Sequence, residues 1–130
     1  PGLNPEVVQK AQAINFPFAP GICTPSELEK ALGLDCKVVK FFPAEASGGM
    51  KYLKSMAAPY THLGIKYFPL GGIDMISASS YLESDLVLCI GGSWIAKRKI
   101  ILDRDWKHIE KQAGGVRDLL DKLERDSYEK

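Results

Sequence analysis

Four short apolar runs punctuate the chain: FPFAPGI (16–22), KVVKFF (37–42), IKYFPLGGI (65–73) and LVLCIGG (86–92). None alternates apolar with polar positions, so they read as strands apolar on both faces, the pattern of parallel strands covered by helices. The segments between them carry helical spacing and start signals. Asn4 caps a helix with Pro5 at its first position, running through Val7, Val8, Ala11 and Ile14. Thr24 or Ser26 caps the next, with an acid at Glu27, then Leu28, Ala31 and Leu32, and Gly33 as its stop. A third helix is expected over Lys51 to Met56 and a fourth over Asp74 to Leu82, with Asp74 as the cap. From Asp105 onward Ile109, Val116, Leu119, Leu120 and Leu123 recur at helical spacing, with Gly114 and Gly115 as a point of interruption.

Strand and helix thus alternate at roughly 20–28-residue intervals, the signature of βα units around a parallel sheet. A closed eight-stranded barrel takes about 200 residues or more. A chain of 130 residues is therefore either a small open α/β sheet or half of a barrel, and no linker divides it.

Composition narrows the function. Seventeen basic and 16 acidic residues leave a formal charge of +1, spread without blocks, so neither nucleic acid nor an anionic membrane is an expected partner. No apolar stretch approaches the roughly 18–20 residues that span a bilayer. Three cysteines without CxxC spacing (Cys23, Cys36, Cys89) read as reduced, mostly buried thiols of a cytoplasmic protein. His62 and His108 lie far apart in polar surroundings and read as surface histidines, so no metal is expected.

The candidate chemistry starts at Lys40, a charge in the middle of an apolar run. An ammonium in a low-dielectric setting is costly and tends to give up its proton. A neutral amine is what attack on a ketone requires. Alternation puts Val38, Lys40 and Phe42 on one strand face and Val39 and Phe41 on the other. The plainer alternative is a lysine near a strand end that snorkels to water. Two Gly-Gly pairs, in PLGGI (69–73) and IGGSW (90–94), each end an apolar run and lead toward a helix. They stand 20 residues apart, one βα unit, and so lie side by side at the carboxyl edge of the sheet, where free N–H groups favour a phosphate. Ser93 can add a hydroxyl. Phe42 can pack against a small keto acid or simply fill the core. Glu45 reads as an acid/base partner or as a solvated loop carboxylate.

KVVKFFPAEASGG, with APGICTPSE (19–27), FPLGGI (68–73) and VLCIGGSW (87–94), closely resembles the 2-keto-3-deoxy-6-phosphogluconate/4-hydroxy-2-oxoglutarate (KDPG/KHG) aldolase family. The motifs come in family order up to about Trp94. The resemblance implies a class I aldolase on a (β/α)8 TIM barrel, usually a trimer. Such an enzyme splits KDPG into pyruvate and glyceraldehyde 3-phosphate through a lysine Schiff base, without metal or cofactor, and in some members also splits 4-hydroxy-2-oxoglutarate. It gives Lys40 the nucleophile's place and Phe42 the wall beside the pyruvate moiety. Gly71, Gly72, Gly91, Gly92 and Ser93 take the phosphate positions. Two departures stand out. Leu70 occupies the place of a threonine, and no segment matches the family's first strands, which carry its general acid/base glutamate and a carboxylate-binding arginine. The expectation is a C-terminal half of one barrel domain (1–130), supplying about strands five to eight and partnered by the missing N-terminal half, which would cover its open strand edges. Two other readings remain open on the residues: a half barrel that binds a phosphorylated ligand without turnover, and another phosphate-binding barrel enzyme such as an isomerase.

Overall fold

The computed structural model describes residues 2–128. The chain opens with α1 (Pro5–Ala13), where Asn4 Oδ1 accepts the Glu6 N–H at 3.0 Å and Pro5 fills a position that needs no donor. β1 (Gly21–Ile22) leads into α2 (Pro25–Leu32), which starts in a complete capping box. Thr24 Oγ1 accepts the Glu27 N–H at 3.3 Å, while the Glu27 carboxylate takes the N–H groups of Thr24 at 2.9 Å and Cys23 at 2.7 Å. Those bonds, the one from Cys23 foremost, hold the Glu27 carboxyl below its ordinary range. Gly33 ends the helix with an ordinary φ of −63°, and Asp35, at φ 57°, makes the left-handed turn instead.

β2 (Val38–Phe41) runs into a short 3₁₀ turn (Glu45–Ser47) and α3 (Gly49–Ala57). β3 (Lys66–Pro69) precedes α4 (Met75–Leu82), whose Asp74 cap accepts the N–H groups of Ile76 and Ser77, both at 2.9 Å. A short α5 (Arg98–Leu102) and a long α6 (Trp106–Tyr128) complete the chain, α6 packing on α4 and α5. Gly114 and Gly115 do not interrupt α6; Gly115 instead lets Met75 approach, since a Cβ there would stand 3.2 Å from the Met75 Cε.

The three strands are parallel in the order β1-β2-β3, with Gly21 opposite Lys40 and Lys40 opposite Phe68. One sheet face carries the core. Val39 and Phe41 of β2 and Tyr67 of β3 are buried in a single cluster with Val8 of α1, Leu28 and Ala31 of α2, Leu53 and Met56 of α3, and Tyr81 of α4. The opposite face, with Val38, Lys40, Phe42, Phe68 and Leu70, stays half-exposed.

These observations correct the expected fold. The described residues form neither a closed (β/α)8 barrel nor four strands of one; they form an open three-stranded parallel α/β sheet with helices packed against one face. Two local causes are visible. Pro17 and Pro20 lack N–H groups, and β1 shrinks to two residues. Residues 86–91 run parallel to β3 but touch it only at isolated bridges, Tyr67 with Val87 and Leu70 with Gly91. Three steps along β3 thus match four along its neighbour, so the register slips by one residue and the ladder is broken. The expectation of strands covered on both faces fails with it: Leu88 is 58% exposed. Cys89 is exposed too, against the expectation of mostly buried thiols, while Cys36 is buried and Cys23 half-buried. Among the described residues no helix is long and apolar enough to cross a membrane, and no cluster of metal-ligating side chains occurs.

Candidate active site

The half-exposed sheet face ends, at the carboxyl edge of the strands, in an open cleft of about 620 Å³. Lys40 and Phe42 line it from β2 and the residues just after it. Gly71 and Gly72 enter from the turn after β3, and Gly91, Gly92 and Ser93 from the neighbouring loop. Of the residues singled out in the sequence, Lys40, Phe42, the four glycines and Ser93 therefore meet in one place, because the Leu70–Gly91 bridge holds the two paired-glycine turns side by side. Leu70, Asp74, Trp94 and Lys97 complete the lining with Ile73.

Strand alternation explains the lysine's position. Val39 and Phe41 turn into the core, so Lys40 must turn to the opposite face with Phe42. Its Nζ lies 4.6 Å from the centroid of the Phe42 ring. Lys40 is half-buried and not enclosed, since the face that carries it has no covering layer among the described residues.

The glycines are fixed by their neighbours. Gly71 and Gly72 adopt φ of 99° and 85°. A Cβ at Gly71 would lie 3.0 Å from Phe42 Cε2, and one at Gly72 would lie 2.8 Å from Glu45 Cβ. Carbonyl groups of the same turn receive the chain after β2: Ala44 N–H donates to Leu70 at 2.8 Å and Glu45 N–H to Gly71 at 3.0 Å. Gly91 lies against Leu70, where a Cβ would approach Cδ2 to 2.9 Å, and Gly92 lies against the Trp94 ring. Packing thus accounts for glycine at all four positions. Their chemistry comes from the backbone: the N–H groups of Gly71, Gly72, Gly92 and Ser93 meet no protein acceptor among the described residues. The second turn differs from the expectation in one respect, since residues 93–96 form turns before the five-residue α5, so no long helix starts there.

Glu45 stands behind Gly72, outside the lining of the cleft. Its Oε1 accepts the hydroxyl of Tyr81, a fully buried side chain. Burial pushes that phenol well above its ordinary value, and the bond to Glu45 adds to the effect. Glu45 therefore ties α4 to the β2–α3 connection and is not free for acid/base work in the cleft. Trp94 and Lys97 went unremarked in the sequence, although both follow the second Gly-Gly pair within six residues and so share its loop.

Known proteins resemble this chain over most of its length. A family model described as KDPG and KHG aldolase matches residues 1–112. A 2-dehydro-3-deoxy-phosphogluconate aldolase of Haemophilus influenzae is 41% identical over 120 residues, 92% of this chain and 56% of that protein. Among solved structures, a Legionella pneumophila KDPG aldolase with pyruvate captured at low pH as a covalent carbinolamine intermediate is 35% identical with a TM-score of 0.81, over 86% of this chain and 53% of that one. A Zymomonas mobilis 2-keto-3-deoxy-6-phosphogluconate aldolase with 3-phosphoglycerate is 38% identical with a TM-score of 0.70, over 75% and 46% respectively. The chain spans about half the length of the relatives it matches. With the family model matched over most of its residues, the chain belongs to the KDPG and KHG aldolase family.

Proposed function

We propose that the chain carries out class I aldolase chemistry through Lys40 on a phosphorylated 2-keto-3-deoxy sugar acid. The observation that carries this reading is the meeting of one amine, its aromatic neighbour and two paired-glycine turns in a single cleft. The Lys40 amine adds to the C2 ketone, and the carbinolamine loses water to leave an iminium. Breaking the C3–C4 bond sends its electron pair into the iminium as an enamine, while the C4 hydroxyl loses its proton and leaves as an aldehyde. Protonation of the enamine at C3 and hydrolysis then release pyruvate and restore the amine. The Phe42 face lies where the iminium's positive charge develops, a contact worth about 0.5–1 kcal/mol at an exposed site. The unpaired N–H groups of the glycine turns suit phosphate oxygens. Names borne by relatives, a carbinolamine with pyruvate and a complex with 3-phosphoglycerate, support the same assignment.

A second reading, ligand binding without turnover, is favoured by one observation. Asp74 alone among the lining residues carries a carboxylate, and its Oδ1 already serves as the cap of α4. Condensation needs no carboxylate, but removing the C4 hydroxyl proton needs a base. The test therefore separates the two steps. Sodium borohydride added to the protein with pyruvate should fix a reduced pyruvate adduct on Lys40, found by peptide mass mapping and lost in Lys40→Met. No adduct at Lys40 overturns the aldolase reading. An adduct without pyruvate release from the sugar acid selects condensation alone.

A further inference from the structure

We infer that Lys97 is the cationic anchor for the substrate's phosphate, a specificity-determining residue of the cleft. This rests on the Schiff-base reading in one respect: an amine that condenses with a ketone is neutral when it attacks, so Lys40 cannot also neutralise a phosphate. Apart from Lys40, Lys97 is the one basic side chain lining the cleft. It stands at the rim beside Ser93 and Trp94, on the loop whose Gly92 and Ser93 N–H groups are unpaired. Its charge is uncommitted. Lys99, two residues on, is tied to Asp103, whereas Lys97 forms no ion pair among the described residues. Asp74, which also lines the cleft and whose Oδ1 caps α4, forms no ion pair with it among the described residues. A phosphate dianion at this rim would accept backbone N–H groups on one side and the ammonium on the other. That arrangement joins geometric fit to charge compensation.

Glycerol 3-phosphate, which has the charged end of a triose phosphate but no carbonyl, isolates this contact from the covalent step. Its binding is followed by titration calorimetry, with glycerol as the uncharged control. Wild-type protein should bind the phosphate ester and not glycerol. Lys97→Met should weaken that binding roughly tenfold, the loss of one charge-assisted hydrogen bond, and Lys97→Arg should restore most of it. In parallel, pyruvate trapping at Lys40 of the wild type reads the covalent step apart from phosphate binding. Failure of wild type to bind glycerol 3-phosphate, or equal binding by Lys97→Met, overturns the assignment of Lys97. Failure of trapping with intact phosphate binding overturns the Schiff base and leaves Lys97 standing.

Discussion

Gly72 and Gly114 are the same residue under opposite constraints. Gly72 sits at φ 85° with Glu45 Cβ 2.8 Å from where its own Cβ would be. Gly72→Ala therefore meets both the left-handed penalty and a clash in the turn beneath the cleft, and should destabilise the fold by about 2–4 kcal/mol. Gly114 lies exposed inside α6 with nothing near its Cβ position, so Gly114→Ala should stabilise by up to about 1 kcal/mol. Urea unfolding of the two variants checks both signs, and equal effects would deny that local geometry sets the cost. Residues of this kind differ in how far sequence exposes them. Lys40 was legible because a charge inside an apolar run has few explanations. Lys97 was not: in the run KRK (97–99) it looks like any solvated basic face, and only the folded loop sets it apart from Lys99.

At the scale of elements the capped helix starts and three of the four strand runs were legible, and the failure of the fourth run to pair was not, for a physical reason. Caps are local: Asn4, Thr24 and Asp74 each satisfy N–H groups within three residues. Strand pairing depends on residues far away, and the run LVLCIGG (86–92) is apolar enough to be a strand yet slips by one residue against β3. The α2 box makes a sharp test of the local rule. Thr24→Ala should cost about 1 kcal/mol by urea unfolding. Glu27 adds a pH signature. Its folded-state carboxyl is held below the unfolded value, so its contribution is present above the unfolded value and is lost as pH falls through the folded one. The stability gap between wild type and Glu27→Gln should therefore shrink as pH is lowered from about 6 to about 3. A gap constant across that range would mean that the carboxylate's bonds to Cys23 and Thr24 contribute nothing to folding.

Across the whole molecule, order and chemistry run in opposite directions. The helix-covered face holds the buried cluster, and the amides that join neighbouring strands are locked: Lys40 N–H donates to Pro20 at 2.8 Å, Tyr67 N–H to Leu86 at 2.8 Å and Leu70 N–H to Phe41 at 3.0 Å. The loop over 88–93 has only two such anchors, Leu88 N–H to Tyr67 at 2.9 Å and Gly91 N–H to Pro69 at 3.2 Å. The amides of Cys89, Ile90, Gly92 and Ser93 have no protein acceptor among the described residues. Exposed backbone with few partners opens at low free energy, whereas core strands exchange only through larger unfolding. Hydrogen exchange should therefore show Lys40, Tyr67 and Leu70 amides among the slowest and those of Cys89, Ile90, Gly92 and Ser93 among the fastest. The cleft gives this contrast a functional edge. A phosphate ester that seats on the second glycine turn must use its N–H groups, so glycerol 3-phosphate should slow Gly92 and Ser93 while leaving Cys89 and Ile90, which lie outside the lining, far less affected. Uniform slowing of all four would instead point to a ladder forming along β3, with the loop zipped into a strand rather than acting as an anion site.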